Sequence, residues 1–309
     1  MNILVTGGAG FIGSHLCDSL IEEGHHVIIV DDLSSGVMKH VHPEAVFFKQ
    51  DIRDQEALTR IFDSQSIDIV FHEAAQTMVP YSIEHPIVDA DLNIMGLLNV
   101  LENCRTHHVK KIIFSSSAAV YGDNQAVPLV EEEPVCAMSF YGLTKITAER
   151  YLQLYHEIFG LPYCILRYSN VYGERQGSHG EGGVVCIFSR ALAAGKDLTI
   201  FGDGEQSRDF VYVKDVARAN LAAMSADVPC GVYNVSTQIE TTVNALKEIL
   251  IYFARQSVSV QYEEARPGDI YRSALHNGKA QDVLKWHPVT KLMPGLLATY
   301  NYFSKEELE

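Results

Sequence analysis

Tyr141 and Lys145 stand four positions apart in the stretch Ser139-Phe140-Tyr141-Gly142-Leu143-Thr144-Lys145. If that stretch opens a helix, the two side chains lie one turn apart on the same face. A phenol is a poor base near neutral pH, because its reference pKa is about 10. An ammonium beside it favours the phenolate and lowers that value, so the pair could take a proton from a hydroxyl. A plain helix with a half-buried tyrosine would show the same spacing. The surroundings therefore decide its meaning, and two other groups bear on it. Gly7, Gly10 and Gly13 follow a short apolar run, and Ser117 closes the triplet Ser115-Ser116-Ser117 after another.

The elements that would position these groups alternate. Residues 2–6 read as a strand, and Ile12, Leu16, Leu20 and Ile21 as the apolar stripe of a helix that stops at Gly24. Residues 26–30 read as a second strand, closing on Asp31-Asp32. Strand, glycine turn, helix, strand and acid form the context in which such a turn binds a dinucleotide. Gly7 and Gly10 permit a tight turn with close backbone approach to a pyrophosphate. Gly13 lets the helix pack close to the sheet, and the helix N-terminus offers N–H groups to the phosphates. Asp31 would accept the ribose 2′-hydroxyl and repel a 2′-phosphate, which favours NAD over NADP. Asp51, just past a strand at 46–49, is placed to meet an adenine edge, or to act as an ordinary turn aspartate. Small residues at Ala74 and Ala75 would let backbone pass close to the cofactor.

The alternation continues with a helix at 54–64, a strand at 67–72, a helix from about 88 to 106 and a strand at 111–115. In an open parallel sheet, ligands sit outside the carboxyl ends of the strands. Ser117 therefore stands at the same edge as the glycine turn, where it could meet a substrate hydroxyl. The helix carrying Tyr141 runs to about Gly160 and leads into a strand at 163–167. Later elements are less regular: helices at 184–194, 214–224, 241–254, 278–284 and 294–303, with strands at 198–201, 208–213 and 232–235. The expected fold is α/β: a Rossmann-type doubly wound parallel sheet with a smaller α/β substrate-binding domain. The first domain takes residues 1–168, with about 184–224 crossing back. The second takes 169–183 and 225–309.

The chain has 309 residues, 47% of them hydrophobic, and a net charge of −15. That balance suits a globular enzyme and opposes binding to nucleic acid or an anionic membrane. A ligand phosphate must then be held by a few placed arginines and by backbone N–H groups. Met1–Val5 has no basic n-region and reads as a buried strand, not a signal peptide. Six scattered cysteines without a CxxC pair read as reduced thiols, and the expected location is the cytoplasm. The adjacent pairs His25-His26 and His107-His108 point in different directions on either kind of element, and no metal site is expected.

Together TGGAGFIG (6–13), DDLSSG (31–36), DIRD (51–54), HEAAQ (72–76), SSSAAVYG (115–122), YGLTK (141–145), LRYSNVYG (166–173), RDFVYV (208–213) and RPGD (266–269) resemble the extended short-chain dehydrogenase/reductase family. Within it they are most similar to the UDP-galactose 4-epimerases. The resemblance implies an NAD-dependent isomerase acting through a transient 4-keto sugar. It implies that Tyr141 removes the O4 proton, Ser117 hydrogen-bonds O4, and Lys145 binds the nicotinamide ribose and helps to lower the Tyr141 pKa. It extends the cofactor set to Phe11, Ile12, Asp32, Ser35, Gly36, Ile52, Gln76, Asn93, Ser115 and Tyr168. It assigns the UDP part to Asn170, Arg208 and Arg266 at the diphosphate, Phe201 near the uracil and Asp269 near the uridine ribose. Ser273 matches the position whose bulk limits the sugar C2 substituent, and a serine there leaves room for an N-acetyl group. A homodimer is also implied.

Other activities share this scaffold. The 4,6-dehydratases usually carry Asp-Glu where this chain has Ala118-Ala119, so no acid is present to protonate a leaving hydroxyl. UDP-glucuronate 4-epimerases and decarboxylases need a site for a carboxylate, and no added arginine marks one. A non-catalytic NAD-binding regulator would have lost Tyr141 or Lys145, and both are present.

Overall fold

Ile3-Leu4-Val5 and Val27-Ile28-Ile29-Val30 are apolar at every position, as parallel strands covered on both faces must be. In the structure, a computed structural model that describes residues 1–177, 182–265 and 270–306, both runs are inner strands of one sheet. The first half of the chain forms β1 (Asn2–Thr6), α1 (Phe11–Glu22), β2 (His26–Asp31), β3 (Val46–Lys49), α2 (Gln55–Gln65), β4 (Ile69–His72), α3 (Val79–Glu84), α4 (Pro86–Ala90), α5 (Gly96–Thr106), β5 (Lys111–Ser117), α6 (Phe140–Phe159) and β6 (Tyr163–Tyr168). The second half adds β7 (Asn170–Tyr172), α7 (Val184–Ala193), β8 (Leu198–Phe201), β9 (Ser207–Tyr212), α8 (Val213–Ala223), β10 (Gly231–Val235), β11 (Glu240–Thr242), α9 (Val243–Ala254), β12 (Val260–Glu263), β13 (Arg272–Ser273), α10 (Gly278–Leu284) and α11 (Leu292–Glu306).

The main sheet has seven parallel strands in the order β10-β6-β5-β4-β1-β2-β3. The side chains of a strand alternate between two layers. Ile3, Val5, Ile29 and Phe71 pack with Leu16 and Leu20 of α1 and with Val216 and Ala219 of α8. Leu4, Ile28, Val70 and Phe114 pack with Leu58 of α2, Leu101 of α5 and Leu152 of α6. This is the expected Rossmann-type doubly wound sheet. The strand order reverses at β1, whose neighbours are β2 and β4, and a crevice opens there at the carboxyl ends.

Between β4 and β5 the chain departs from the expectation of one helix over 88–106. Pro80 and Pro86 fall in the first turns of α3 and α4, where a proline N–H is not needed. A single π-helical turn, Asp91–Met95, then joins α4 to α5 and carries the buried Asn93.

The second unit joins β7, β9, β11 and β13 in one small sheet and β8 with β12 in another. Phe188 of α7, Leu246 of α9 and Leu296 of α11 share its core. The domain division read from the sequence is corrected in two places. β10 pairs in parallel with β6, so residues 231–235 extend the first sheet and do not belong to the second unit. Conversely α7 and β8 lie in the second core, β9 gives Phe210 and Tyr212 to the second core and Val211 to the first, and α8 packs back onto α1. The physical reason is where each apolar face finds cover. β10 meets the free edge of β6, while the stripe Val185, Phe188 and Leu192 meets α9 and α11. Among the described residues no helix is long and apolar enough to cross a membrane.

Candidate active site

The turn between β1 and α1 is built to admit no side chain. Gly7 has φ +72°, and a Cβ there would stand 2.7 Å from the Ala74 backbone N. A Cβ on Gly13 would stand 2.2 Å from Gly7 O, so α1 packs directly on the turn. α1 starts at Gly10 with no side-chain cap, which leaves the N–H groups of its first turn, at Phe11 and Ile12, to an anion. Gly7, Asp31, Asp32, Ser35, Asp51, Ile52, Ala74 and Ala75 line one cleft beside this turn.

Asp31 is less free than its position at the end of β2 suggested. Its Oδ2 accepts from Ala9 N at 3.0 Å and its Oδ1 from Leu33 N at 2.8 Å. Burial raises its pKa. Each carboxylate oxygen has a further lone pair, so a ribose hydroxyl can still be accepted. Gly36 keeps the carboxylate in place, since a Cβ there would lie 2.7 Å from Asp31 Oδ1. Asp32 is occupied by Ser34, through its N–H at 2.8 Å and its hydroxyl at 2.6 Å. Asp51 is gripped by Arg53, whose Nη2 is 2.6 Å from Oδ2, and this holds its pKa down. The same guanidinium reaches Asp91 at 2.9 Å. The donor set as a whole fits a dinucleotide: a glycine cradle, an uncapped helix end and a carboxylate at the second strand.

The candidate catalytic group forms at the ends of β5 and α6. Ser139 caps α6, its Oγ accepting from Gly142 N at 3.1 Å, and this fixes the first turn that carries Tyr141. Tyr141 and Lys145 are both buried, and the Ser117 hydroxyl hydrogen-bonds the Tyr141 hydroxyl. Lys145 Nζ donates to Ser115 O at 2.8 Å and lies 5.8 Å from the centre of the Tyr141 ring. The sequence suggested that Lys145 helps to acidify Tyr141. Within the protein, burial pushes Tyr141 up to about 12, against the Ser117 hydrogen bond, and Asp89 adds to the rise. Burial likewise lowers Lys145 to about 8, opposed by Glu73, Asp89 and Glu149.

Asp89, Thr144, Glu149 and Arg167, which hold this group, escaped the sequence reading, and Gln76, Asn93, Ser115 and Tyr168, expected at the cofactor, join them in the wall. Asp89 and Asn93 are buried; Asp89 takes Gln76 Nε2 at 2.7 Å and Thr144 Oγ1 at 3.3 Å. Asn93 exchanges bonds with the Gln76 backbone, at 2.8 Å to N and 3.0 Å to O. Gln76 and Asn93 therefore shape the loop after β4 and brace α6. Tyr168 and Ser115 bond each other at 3.0 Å, so their side chains also act within the wall. Glu149 continues the four-residue step from Tyr141 and Lys145, a signal the helical period could have supplied. It pairs with the buried Arg167 at 2.6 Å and receives Ser116 Oγ at 2.5 Å.

The second unit brings three expected residues together. β7 sets Asn170 against Phe210 of β9, and β13 sets Ser273 against Arg208. Arg208 and Phe210 are two apart, so Asn170, Arg208 and Ser273 share one face. Arg208 Nη1 donates to Ser207 O at 2.8 Å and Tyr271 O at 3.3 Å. Phe201 ends β8, in the other small sheet. Arg266 and Asp269 lie outside the described residues.

Residues 3–236 match the model of the NAD dependent epimerase/dehydratase family. A UDP-glucose 4-epimerase of Mycolicibacterium smegmatis is 38% identical over 309 residues, 98% of each chain. The crystal structure of UDP-glucose 4-epimerase from Thermotoga maritima with UDP-glucose is 46% identical, covers 100% of both chains and superposes with a TM-score of 0.96. A UDP-N-acetylglucosamine 4-epimerase from Methanobrevibacter ruminantium, in complex with UDP-N-acetylmuramic acid, is 39% identical, with a TM-score of 0.93 and coverage of 99% and 98%.

Lys145 gives a pH test of the site. Its folded pKa, about 8, lies below the ordinary 10.5. Between these values the unfolded chain binds more of the proton than the folded one, so this group's contribution to stability rises with pH through that window. Urea midpoints measured from neutrality to about pH 10 should show the wild type gaining on Lys145→Met as pH rises. Parallel profiles would contradict the burial of an ionisable Lys145.

Proposed function

The chain belongs to the NAD-dependent epimerase/dehydratase family, and we propose that it is a 4-epimerase interconverting UDP-glucose and UDP-galactose, with room for their N-acetylated counterparts. The observation that carries this reading is the convergence of Ser117, Tyr141 and Lys145 at the strand ends beside the glycine turn, with alanines at 118 and 119 where a dehydratase needs acids. When bound, NAD supplies a reversible two-electron acceptor for the sugar carbon. Tyr141 withdraws the proton of the O4 hydroxyl and later returns it, and Ser117 holds the O4 oxygen against Tyr141. Lys145 contributes a positive charge that favours the phenolate once the crevice is filled.

Substrate positioning falls to the second unit. Arg208 and Asn170, with Arg266 from outside the described residues, hold the diphosphate through charge-assisted bonds. By the resemblance, Phe201 serves the uracil and Asp269, outside the described residues, its ribose. With contacts concentrated on the nucleotide, the sugar can turn and present its other face. Ser273 pairs with Arg208 in the register of β13 and β9, which supports a place for it near the diphosphate. The bulky Tyr271 is exposed, with its hydroxyl 3.1 Å from Asp203. The proposed protein is a cytoplasmic homodimer. The exposed Ile87, Met95 and Leu143, on α4, the π turn and α6, support a helical dimer face.

Purified protein given UDP-galactose without added NAD should form UDP-glucose. Tyr141→Phe should lower kcat by roughly 10²–10⁴-fold while cofactor content and circular dichroism stay unchanged. No product from UDP-galactose, UDP-GlcNAc or UDP-glucuronate, with NAD confirmed in the protein, would refute the epimerase reading.

Ser273→Tyr should cut turnover of UDP-GlcNAc by about tenfold or more and spare UDP-galactose, because added bulk costs a C2 substituent its space. Equal turnover of UDP-GlcNAc by variant and wild type would remove Ser273 from the specificity site.

A further inference from the structure

A carboxylate just past β4, next to the glycine turn, takes no part in the chemistry above. Glu73 follows the last residue of β4, and its carbonyl carbon would lie 2.9 Å from a Cβ on Gly7. Its carboxylate hydrogen-bonds the Ser115 hydroxyl and receives the Tyr168 hydroxyl at 3.4 Å on Oε1. Glu73 thus stands between the glycine turn on one side and Lys145, bonded to Ser115 O, on the other.

The hydrogen bonds around this carboxyl group show which of its neighbours can donate to it. Asn220 Nδ2 donates to Val216 O at 3.1 Å and to the Tyr168 oxygen at 2.8 Å. A carbonyl only accepts, so the amide cannot be turned the other way. The Tyr168 oxygen accepts from Asn220, and its single proton is left for Ser115 Oγ or Glu73. Ser115 can then pass its own proton bond to Glu73. The donors in the chain can all run toward Glu73, whose carboxyl oxygens accept them, an arrangement that the anion fully satisfies. Burial favours the neutral acid, while Ser115, Lys145 and Tyr168 favour the anion.

The other charged and titratable groups nearby have separate engagements. Glu149 is paired with Arg167, Asp89 is bonded by Gln76 and Thr144, and His72 turns to Thr6 at 2.9 Å. Cys17 is buried with its thiol pKa raised. Glu73 is therefore the carboxylate poised to offset positive charge where the crevice meets Lys145.

We propose that Glu73 sets the redox preference of the cofactor site: its carboxylate, lodged between the glycine turn and Lys145, favours the cationic oxidised nicotinamide over the neutral reduced one. The inference rests on the reading that this crevice binds NAD. Reduction takes up two electrons and one proton and lowers the ring's charge by one, so a fixed anion stabilises the oxidised partner selectively. Uncharged wall residues would stabilise both forms alike. Glu73 is a positioning charge, distinct from the groups that move protons on substrate.

The test is the affinity of the full-length protein, stripped of nucleotide, for NAD⁺ and NADH measured separately by calorimetry. Glu73→Gln keeps the size and one acceptor oxygen but removes the charge. It should raise the ratio Kd(NAD⁺)/Kd(NADH) by about tenfold or more, as expected for losing one charge–charge interaction of this range in a partly polar site. Glu73→Asp should give a ratio nearer the wild type than Glu73→Gln does. An unchanged ratio, including affinities that fall together, would overturn the inference and leave the cofactor reading intact. Wild-type protein that binds neither nucleotide would overturn both.

Discussion

An ammonium enclosed by protein at the end of a parallel sheet is the constraint on which the site depends. Lys145 is buried, and its Nζ is held by Ser115 O at 2.8 Å. Burial alone makes a charged lysine costly, and it lowers the pKa to about 8. Three carboxylates, Glu73, Asp89 and Glu149, oppose that cost from β4, α4 and α6. Each must be fixed in its turn, so each draws further partners into the wall: Ser115 and Tyr168 for Glu73, Gln76 and Thr144 for Asp89, Ser116 and Arg167 for Glu149. The polar interior behind the crevice follows from placing one cation there.

This network also carries the second unit. Arg167 Nη1 reaches Tyr121 at 2.9 Å, Tyr121 bonds Asn234 at 2.9 Å, and Asn234 Nδ2 holds Leu129 O and His276 O. Removing one member of a buried ion pair typically costs about 3–5 kcal/mol, whereas an apolar replacement of both can be neutral. The Glu149–Arg167 pair is thus better understood as a device for position than for stability. It locks α6, which bears Tyr141, to β6 and through Asn234 to β10. The edge strand β10 is part of the same polar chain as the helix that bears Tyr141.

Much of this was legible from local pattern. Apolar runs, the glycine spacing and the 141/145 step reflect rules that act within a few residues, and the sheet, the turn and the Ser117–Tyr141–Lys145 group followed from them. What stayed hidden depended on contacts distant in sequence. Nothing local in Val232-Tyr233-Asn234-Val235 says that it will cover the edge of β6, so the domain boundary was misplaced. The alternation of Val258, Val260 and Tyr262 could have signalled β12, yet its pairing with β8 is long-range. Asp89 and Glu73 looked like ordinary acids, since their role arises only from burial against Lys145. The π turn at 91–95 was hidden because it differs from a helix only in which carbonyls the N–H groups reach.

Burial also governs the ionisation of Tyr141. A tyrosine near 12 holds its proton: the Ser117 hydrogen bond does not overcome desolvation, to which Asp89 adds. The account therefore makes the basicity of Tyr141 depend on a filled crevice, where the cationic nicotinamide joins Lys145. The direct measurement is the Tyr141 ionisation itself, followed by carbon NMR of ring-labelled tyrosine and assigned with Tyr141→Phe, with and without NAD⁺. The account predicts a value near 12 without nucleotide and a fall of several units with NAD⁺ bound. The same value in both states would contradict it.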